Sequence, residues 1–230
     1  GSPDVMSAEL IRNQQEESLH RLRTDYVDLY LLHRDDPFVP VGEIIEVLNE
    51  RKALGKIRQF GVSNWTLSRI IEAEEYADSH GMEGFTAFSP AYSYAELVGD
   101  PWGRSVTLSG EKNREAREWY QKQNRPVFTY SSLARGYLSG KFSTTGGKPV
   151  EECLWWAPVE EYDCPENRVR LHRAEVLAEK KGCTVSQICL AWLLAQPLDI
   201  FPIVSPSKKK HMKDNVGVFD IELMSEDRAY

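Results

Sequence analysis

An α/β fold with parallel strands is predicted by three features of the 230-residue sequence. Short apolar runs alternate along the chain with segments whose apolar residues recur at helical spacing. No hairpin signal separates one run from the next, so the helices are the connections, as parallel strands require. Each apolar run also ends in side chains that donate or accept hydrogen bonds, which is where parallel α/β folds place their chemistry.

The elements follow in order. Residues 7–22 carry apolar Leu10, Ile11, Leu19 and Leu22 on an otherwise polar background, which fits an amphipathic helix capped by Ser7. Val27–Leu32 is the first strand; Val27, Leu29, Leu31 and Leu32 make it read as buried on both faces. Residues 41–54 form a helix with Ile44, Ile45, Val47 and Leu48 inward and Gly55 as its stop. The second strand is 57–62. A helix over 66–80 starts at Thr66, and the third strand lies near 85–88. After a helix at 110–123 comes the fourth strand, 127–130. Helices over 165–181 and 184–196 follow, the second opening at Thr184 and carrying Ile188, Leu190, Ala191, Leu193 and Leu194. The fifth strand is about 200–204, with a helix from Lys208. Two stretches read as irregular, Tyr94 to Gly110 and Ser143 to Pro165; the latter includes Leu154-Trp155-Trp156. Loops of this length are either functional lids or packed insertions.

Composition narrows the class. With 41% apolar and 27% charged residues the chain has enough material for a sizeable core. A net charge of −7 argues against a nucleic-acid partner, which wants a basic surface. No apolar run approaches membrane-spanning length. Cys153, Cys164, Cys183 and Cys189 form no C-x-x-C pair and have no His at zinc-ligand spacing. They read as reduced thiols of an intracellular, cytoplasmic protein without a metal site. Gly1-Ser2 reads as an expression-tag remnant, leaving residues 3–230 as the domain.

The strand ends compare as His33-Arg34-Asp35, Ser63-Asn64-Trp65, Ser89-Pro90-Ala91-Tyr92, Tyr130-Ser131-Ser132 and Ser205-Pro206-Ser207. With their surroundings they are specific. SLHRLRTDYVDLYLLHRDD, GKIRQFGVSNW, PVFTYSSLARGYLSGKF, QICLAWLLAQP and SPSKKKHMKDNV resemble, in order, the aldo-keto reductase family, which folds as a (β/α)8 barrel and moves a hydride between NADPH and a carbonyl. DPWGRSVTLSG and FSPAYSYAEL resemble a bacterial-type branch in which reductase-like domains occur beside a dehydrogenase domain. The resemblance spans the family's carboxyl-terminal two-thirds, strands four to eight. It implies an incomplete parallel (β/α)8 TIM-barrel fold with about five β-α units.

It also implies roles. His33 matches the active-site histidine, whose neutral ring donates a hydrogen bond to the substrate carbonyl. Ser63 and Asn64 match the pair that holds the nicotinamide carboxamide, and Tyr130 the ring that stacks on the nicotinamide. Ser131, Leu133 and Arg135 lie in the loop along the pyrophosphate; there Gly136 permits close backbone approach and Lys141 pairs with phosphate. Ser205, Ser207, Lys208, His211, Asp214 and Asn215 match the stretch at the adenosine end, beside a helix amino terminus.

Three departures qualify this. Ser89 stands where the family has a longer Gln against the carboxamide. Ser207 and His211 stand where an Arg usually takes the 2′-phosphate; the Lys208-Lys209-Lys210 run is an alternative clamp, so NADP is implied and NAD stays open. The family's catalytic Asp, Tyr and Lys belong to its first three strands, and Tyr26 and Tyr30 do not stand in their places. Two readings follow: an NAD(P)H-dependent reductase of small aldehydes or ketones, inactive as this chain alone, or a non-catalytic cofactor-binding or structural domain. Five strands of eight leave two open edges, which suits self-association or a fused or partner domain.

Overall fold

The computed structural model describes residues 6–228; the expected tag remnant at Gly1-Ser2 and the domain start at Pro3 lie outside them. The chain divides into two compact units, one ending at Ser89 and the other beginning at Pro90.

The first unit runs α1 (Ala8–Leu22), β1 (Val27–Leu32), α2 (Val41–Ala53), β2 (Ile57–Ser63), α3 (Leu67–Ser79) and β3 (Ala87–Ser89). β1 pairs with β2 and β2 with β3, both in parallel, with Leu32 opposite Val62 and Ser63 opposite Ser89. The expected caps form. Ser7 accepts a hydrogen bond from the Leu10 N–H and Thr66 one from the Arg69 N–H. Gly55, at φ 68°, ends α2 in a conformation that a side chain disfavours. Ile44, Ile45, Leu48, Phe60, Val62, Phe85 and Phe88 are buried and form the core of this unit.

Two expectations are corrected here. β1 is not buried on both faces: only Leu32 is fully enclosed, while Val27, Leu29, Tyr30 and Leu31 are half-buried and Asp28 is exposed. Among the described residues β1 has a single strand neighbour, β2, which is the physical reason. In α1, Leu22 is 64% exposed, whereas the polar Gln15 is fully buried. Its amide oxygen accepts two hydrogen bonds, at 2.9 and 2.6 Å, from the buried guanidinium of Arg51 on α2. A satisfied polar pair thus occupies a place the apolar pattern would assign to a hydrophobic residue.

The second unit contains α4 (Arg114–Gln123), β4 (Val127–Thr129), α5 (Val150–Cys153), α6 (Trp156–Tyr162), α7 (Pro165–Lys181), α8 (Val185–Leu194), β5 (Ile200–Pro202), α9 (Lys209–Val216) and α10 (Ser225–Arg228). β4 and β5 are parallel, with Val127 opposite Ile200. Their core is closed by Tyr137, Leu138, Leu171, Ala174, Ile188, Cys189 and Leu190. α7 begins at Pro165 and ends at Gly182 in the left-handed conformation. α8 opens with a full capping box between Thr184 and Gln187. The segment expected to be irregular, 143–165, holds α5 and α6. These are four and seven residues long, shorter than the window in which helical periodicity is visible, and Pro158 sits in the first turn of α6, where proline is tolerated. Strands β3 to β5 are each three residues, shorter than expected. Among the described residues no helix is long and apolar enough to cross a membrane, and no cluster of metal-ligating side chains occurs.

Candidate functional site

In the first unit the strand ends are tied together by hydrogen bonds. Ser63, the last residue of β2, is buried and donates from Oγ to the Ser89 carbonyl at 2.7 Å. Asn64 follows with φ 58°, a left-handed conformation that Asn adopts more readily than most residues. Its Nδ2 donates to the His33 carbonyl at 3.1 Å and to Ser63 Oγ at 3.1 Å. His33, Ser63, Asn64 and Ser89 are therefore one connected set across three parallel strands. The His33 side chain is exposed, just past the end of β1.

The loop that carries His33 is anchored by residues that sequence reasoning did not single out. Arg69 on α3 donates from Nε to Asp35 Oδ2 at 3.2 Å and from its terminal amino groups to the Val39 and Asp36 carbonyls and to Glu72. Burial pushes the Asp35 carboxyl above its ordinary range, and the Arg69 charge opposes that. Asp36 accepts from the backbone N–H groups of Met6 and Phe38. Trp65 is buried against Phe85, with ring centroids 5.2 Å apart. The only sequence hint of this anchor was that Asp35 and Asp36 follow a strand end; Arg69 lies one element further on.

In the second unit the polypeptide around Tyr130 bridges in parallel to Ala91, with the Tyr130 N–H donating to the Pro90 carbonyl and its carbonyl accepting from Tyr92. Tyr130 itself is half-buried. Beyond it the chain turns sharply: Ser131, Ala134, Arg135 and Gly136 have φ of 52°, 48°, 51° and 101°. Ser132 Oγ donates to the Thr129 carbonyl at 2.8 Å. Leu133 caps a short 3₁₀ turn over Ala134–Gly136. Arg135 Nε donates to Glu161 Oε2 at 2.6 Å, and its Cζ lies 4.3 Å from the centroid of the Trp102 ring. Glu161 is 2% exposed; burial pushes its carboxyl up, and the Arg135 charge opposes that. Neither Glu161 nor Trp102 was singled out in the sequence.

The adjacent strand end supplies the rest. The Ile203 N–H donates to the Thr129 carbonyl at 2.9 Å, which holds the exit of β5 beside that of β4. Ser205, Ser207 and Lys208 are exposed. Lys208 precedes the first turn of α9, and Ser207 Oγ lies 3.4 Å from His211 Nδ1. His211, Asp214 and Asn215 are half-buried on α9. Lys141 is not drawn into this set: it is exposed and makes no ion pair among the described residues.

Bends with positive φ beside an arginine offer main-chain N–H groups and positive charge to a phosphate-bearing ligand. The donor set therefore fits a dinucleotide. Lys208 stands at the amino-terminal cap of α9, and Lys209 and Lys210 open its first turn.

Known proteins share this fold. A thermostable aldo-keto reductase, Tm1743, solved with the inhibitor epalrestat, superposes with a TM-score of 0.71 at 26% identity, covering 98% of this chain and 66% of that one. An aldo/keto reductase from Klebsiella pneumoniae, solved with NADP and acetate, gives a TM-score of 0.68 at 25% identity over 94% of this chain and 62% of that one. The fold is thus α/β of the (β/α)8 TIM-barrel type. "Probable aldo-keto reductase 1" of Glycine max is 29% identical over 99% of this chain. The chain spans about three fifths of the length of the curated relatives it matches. Residues 1–230 match the Aldo/keto reductase family throughout, and the chain belongs to that family.

Proposed function

We propose that this chain is the nucleotide-binding and substrate-orienting part of an NAD(P)H-dependent oxidoreductase that reduces small aldehydes or ketones. The observation that carries the reading is the hydrogen-bonded set His33–Asn64–Ser63–Ser89 at three consecutive strand ends. The bound nicotinamide would supply the hydride. By the family resemblance, Asn64 and Ser63 would hold its carboxamide, and Tyr130 would provide an aromatic surface for its ring. The loop of Ser131, Leu133, Arg135 and Gly136 receives the pyrophosphate, and Ser205, Ser207, Lys208, His211, Asp214 and Asn215 receive the adenosine end. NADP is the preferred cofactor, through the lysines at the start of α9. Neutral His33 donates a hydrogen bond to the substrate carbonyl and orients it; the proton that completes reduction comes from a group outside this chain.

The second reading, a non-catalytic module that pairs with another domain or copy, is favoured by the half-exposed β1 and by Phe201 and Ile203 at β5, which are 47% and 49% exposed. Calorimetric titration with NADPH and NADH tests the first. Micromolar binding, tighter for NADPH and weakened by Tyr130→Ala, is expected. A folded chain that binds neither nucleotide would refute it and leave the second reading.

A further inference from the structure

We propose that Glu161 and Trp102 are positioning residues that hold Arg135 as a two-pronged clamp for a diphosphate. The ligand's identity as a nicotinamide dinucleotide rests on the reading above; the clamp itself does not.

A guanidinium has five N–H donors and two faces. On Arg135 the Nε is taken by Glu161, and one face is taken by Trp102. The two terminal amino groups make no hydrogen bond among the described residues. Fixed side by side, they form two prongs, each able to take an oxygen from a different phosphate of a diphosphate, which a monophosphate cannot supply. A free arginine side chain would lose rotamer freedom on being fixed by its ligand. Here the chain has fixed it already.

The support is built from two segments far apart in sequence. The N–H groups of Val98 and Gly99 both donate to the Glu161 carbonyl, at 2.8 and 3.2 Å. This staples the stretch carrying Trp102 onto α6. Trp102 in turn packs on Trp156 and Trp155, with centroids 5.4 and 6.4 Å away, and those two rings lie 5.6 Å apart. Glu161 thus holds the arginine through its side chain and the tryptophan's segment through its main chain. The Trp155-Trp156 stretch, left open between lid and packed insertion, becomes the buttress of Trp102.

Because Glu161 already balances the charge of Arg135, the clamp selects by geometry more than by net charge. Its signature is preference for a diphosphate over a monophosphate. The test measures, by calorimetry, the affinities of the chain for ADP and AMP, and for inorganic pyrophosphate and phosphate. Wild type should prefer the diphosphate of each pair, and Arg135→Ala should abolish that preference. Glu161→Gln and Trp102→Leu should reduce it about tenfold while leaving AMP affinity nearly unchanged. A merely structural role would weaken both ligands together. Trp102 is 44% exposed, so Trp102→Leu carries the test if Glu161→Gln fails to fold. Preference retained in both positioning variants but lost in Arg135→Ala would overturn the role of Glu161 and Trp102. Absence of any preference in wild type would overturn the clamp. Wild type that prefers pyrophosphate yet binds neither NADPH nor NADH would leave the clamp standing and remove the nicotinamide reading instead.

Discussion

Gly99→Ala is the sharpest perturbation of the second unit. A Cβ at residue 99 would lie 2.3 Å from the Glu160 carbonyl oxygen, 3.0 Å from its carbon and 3.3 Å from the Glu161 Cα. All three are main-chain atoms, so no side chain can swing away. Ordinary contact begins near 3.4 Å, and the segment must therefore retreat by roughly 1 Å. That stretches the hydrogen bonds from Val98 and Gly99 to the Glu161 carbonyl, at 2.8 and 3.2 Å, out of range. At about 1 kcal/mol for each bond lost, the cost is about 2 kcal/mol. Urea unfolding of the variant should show a loss of this order or less. Native-state hydrogen exchange should show faster exchange at 98 and 99 and through α6, with the core around Leu171 and Ile188 unchanged. Wild-type exchange at 98 and 99 in a variant of wild-type stability would refute the close approach on which the staple depends.

Other outcomes follow from the same structure. Thr184→Ala removes half of the capping box on α8 and should lower stability by about 1 kcal/mol in urea unfolding. Ser63→Ala takes away the donor to the buried Ser89 carbonyl and an acceptor for Asn64; a loss of about 1–2 kcal/mol is expected, together with weaker nucleotide binding in titration. Burial raises the Tyr92 hydroxyl to about 12 against an ordinary 10.0. Since the folded value is the higher one, its contribution is complete below pH 10 and is lost as the pH climbs from 10 to 12. Stability measured across that window should fall, and Tyr92→Phe should flatten the fall.

The alternation of strands and helices was legible because the first-unit helices are long and well capped: Ser7, Thr66 and Gly55 each do in three dimensions what their residue type suggests. The strand-end residues were legible for a related reason, since His33, Ser63 and Ser89 interrupt apolar runs where an apolar run has no need of them. What escaped was nonlocal. Gln15 is buried because Arg51 satisfies it, and nothing near residue 15 announces Arg51. Arg69 reaches back to Asp35 across more than thirty positions, and Glu161 reaches Arg135 across twenty-six. α5 and α6 were invisible because two turns or fewer leave no period to read. The exposure of β1 could not be seen either, because an apolar run reports its hydrophobicity and not the number of its neighbours.

The junction between residues 98–99 and α6 carries two main-chain hydrogen bonds, which do not depend on the side chains at 102, 155 or 156. Substitutions at Trp102, Trp155 or Trp156 can alter what the surface offers without undoing the scaffold beneath, so this corner can diversify while its backbone course is kept. An engineer seeking new ligand preferences would randomise the three tryptophans and hold Gly99 fixed; a library that varied Gly99 as well should return mostly chains in which the corner has come apart.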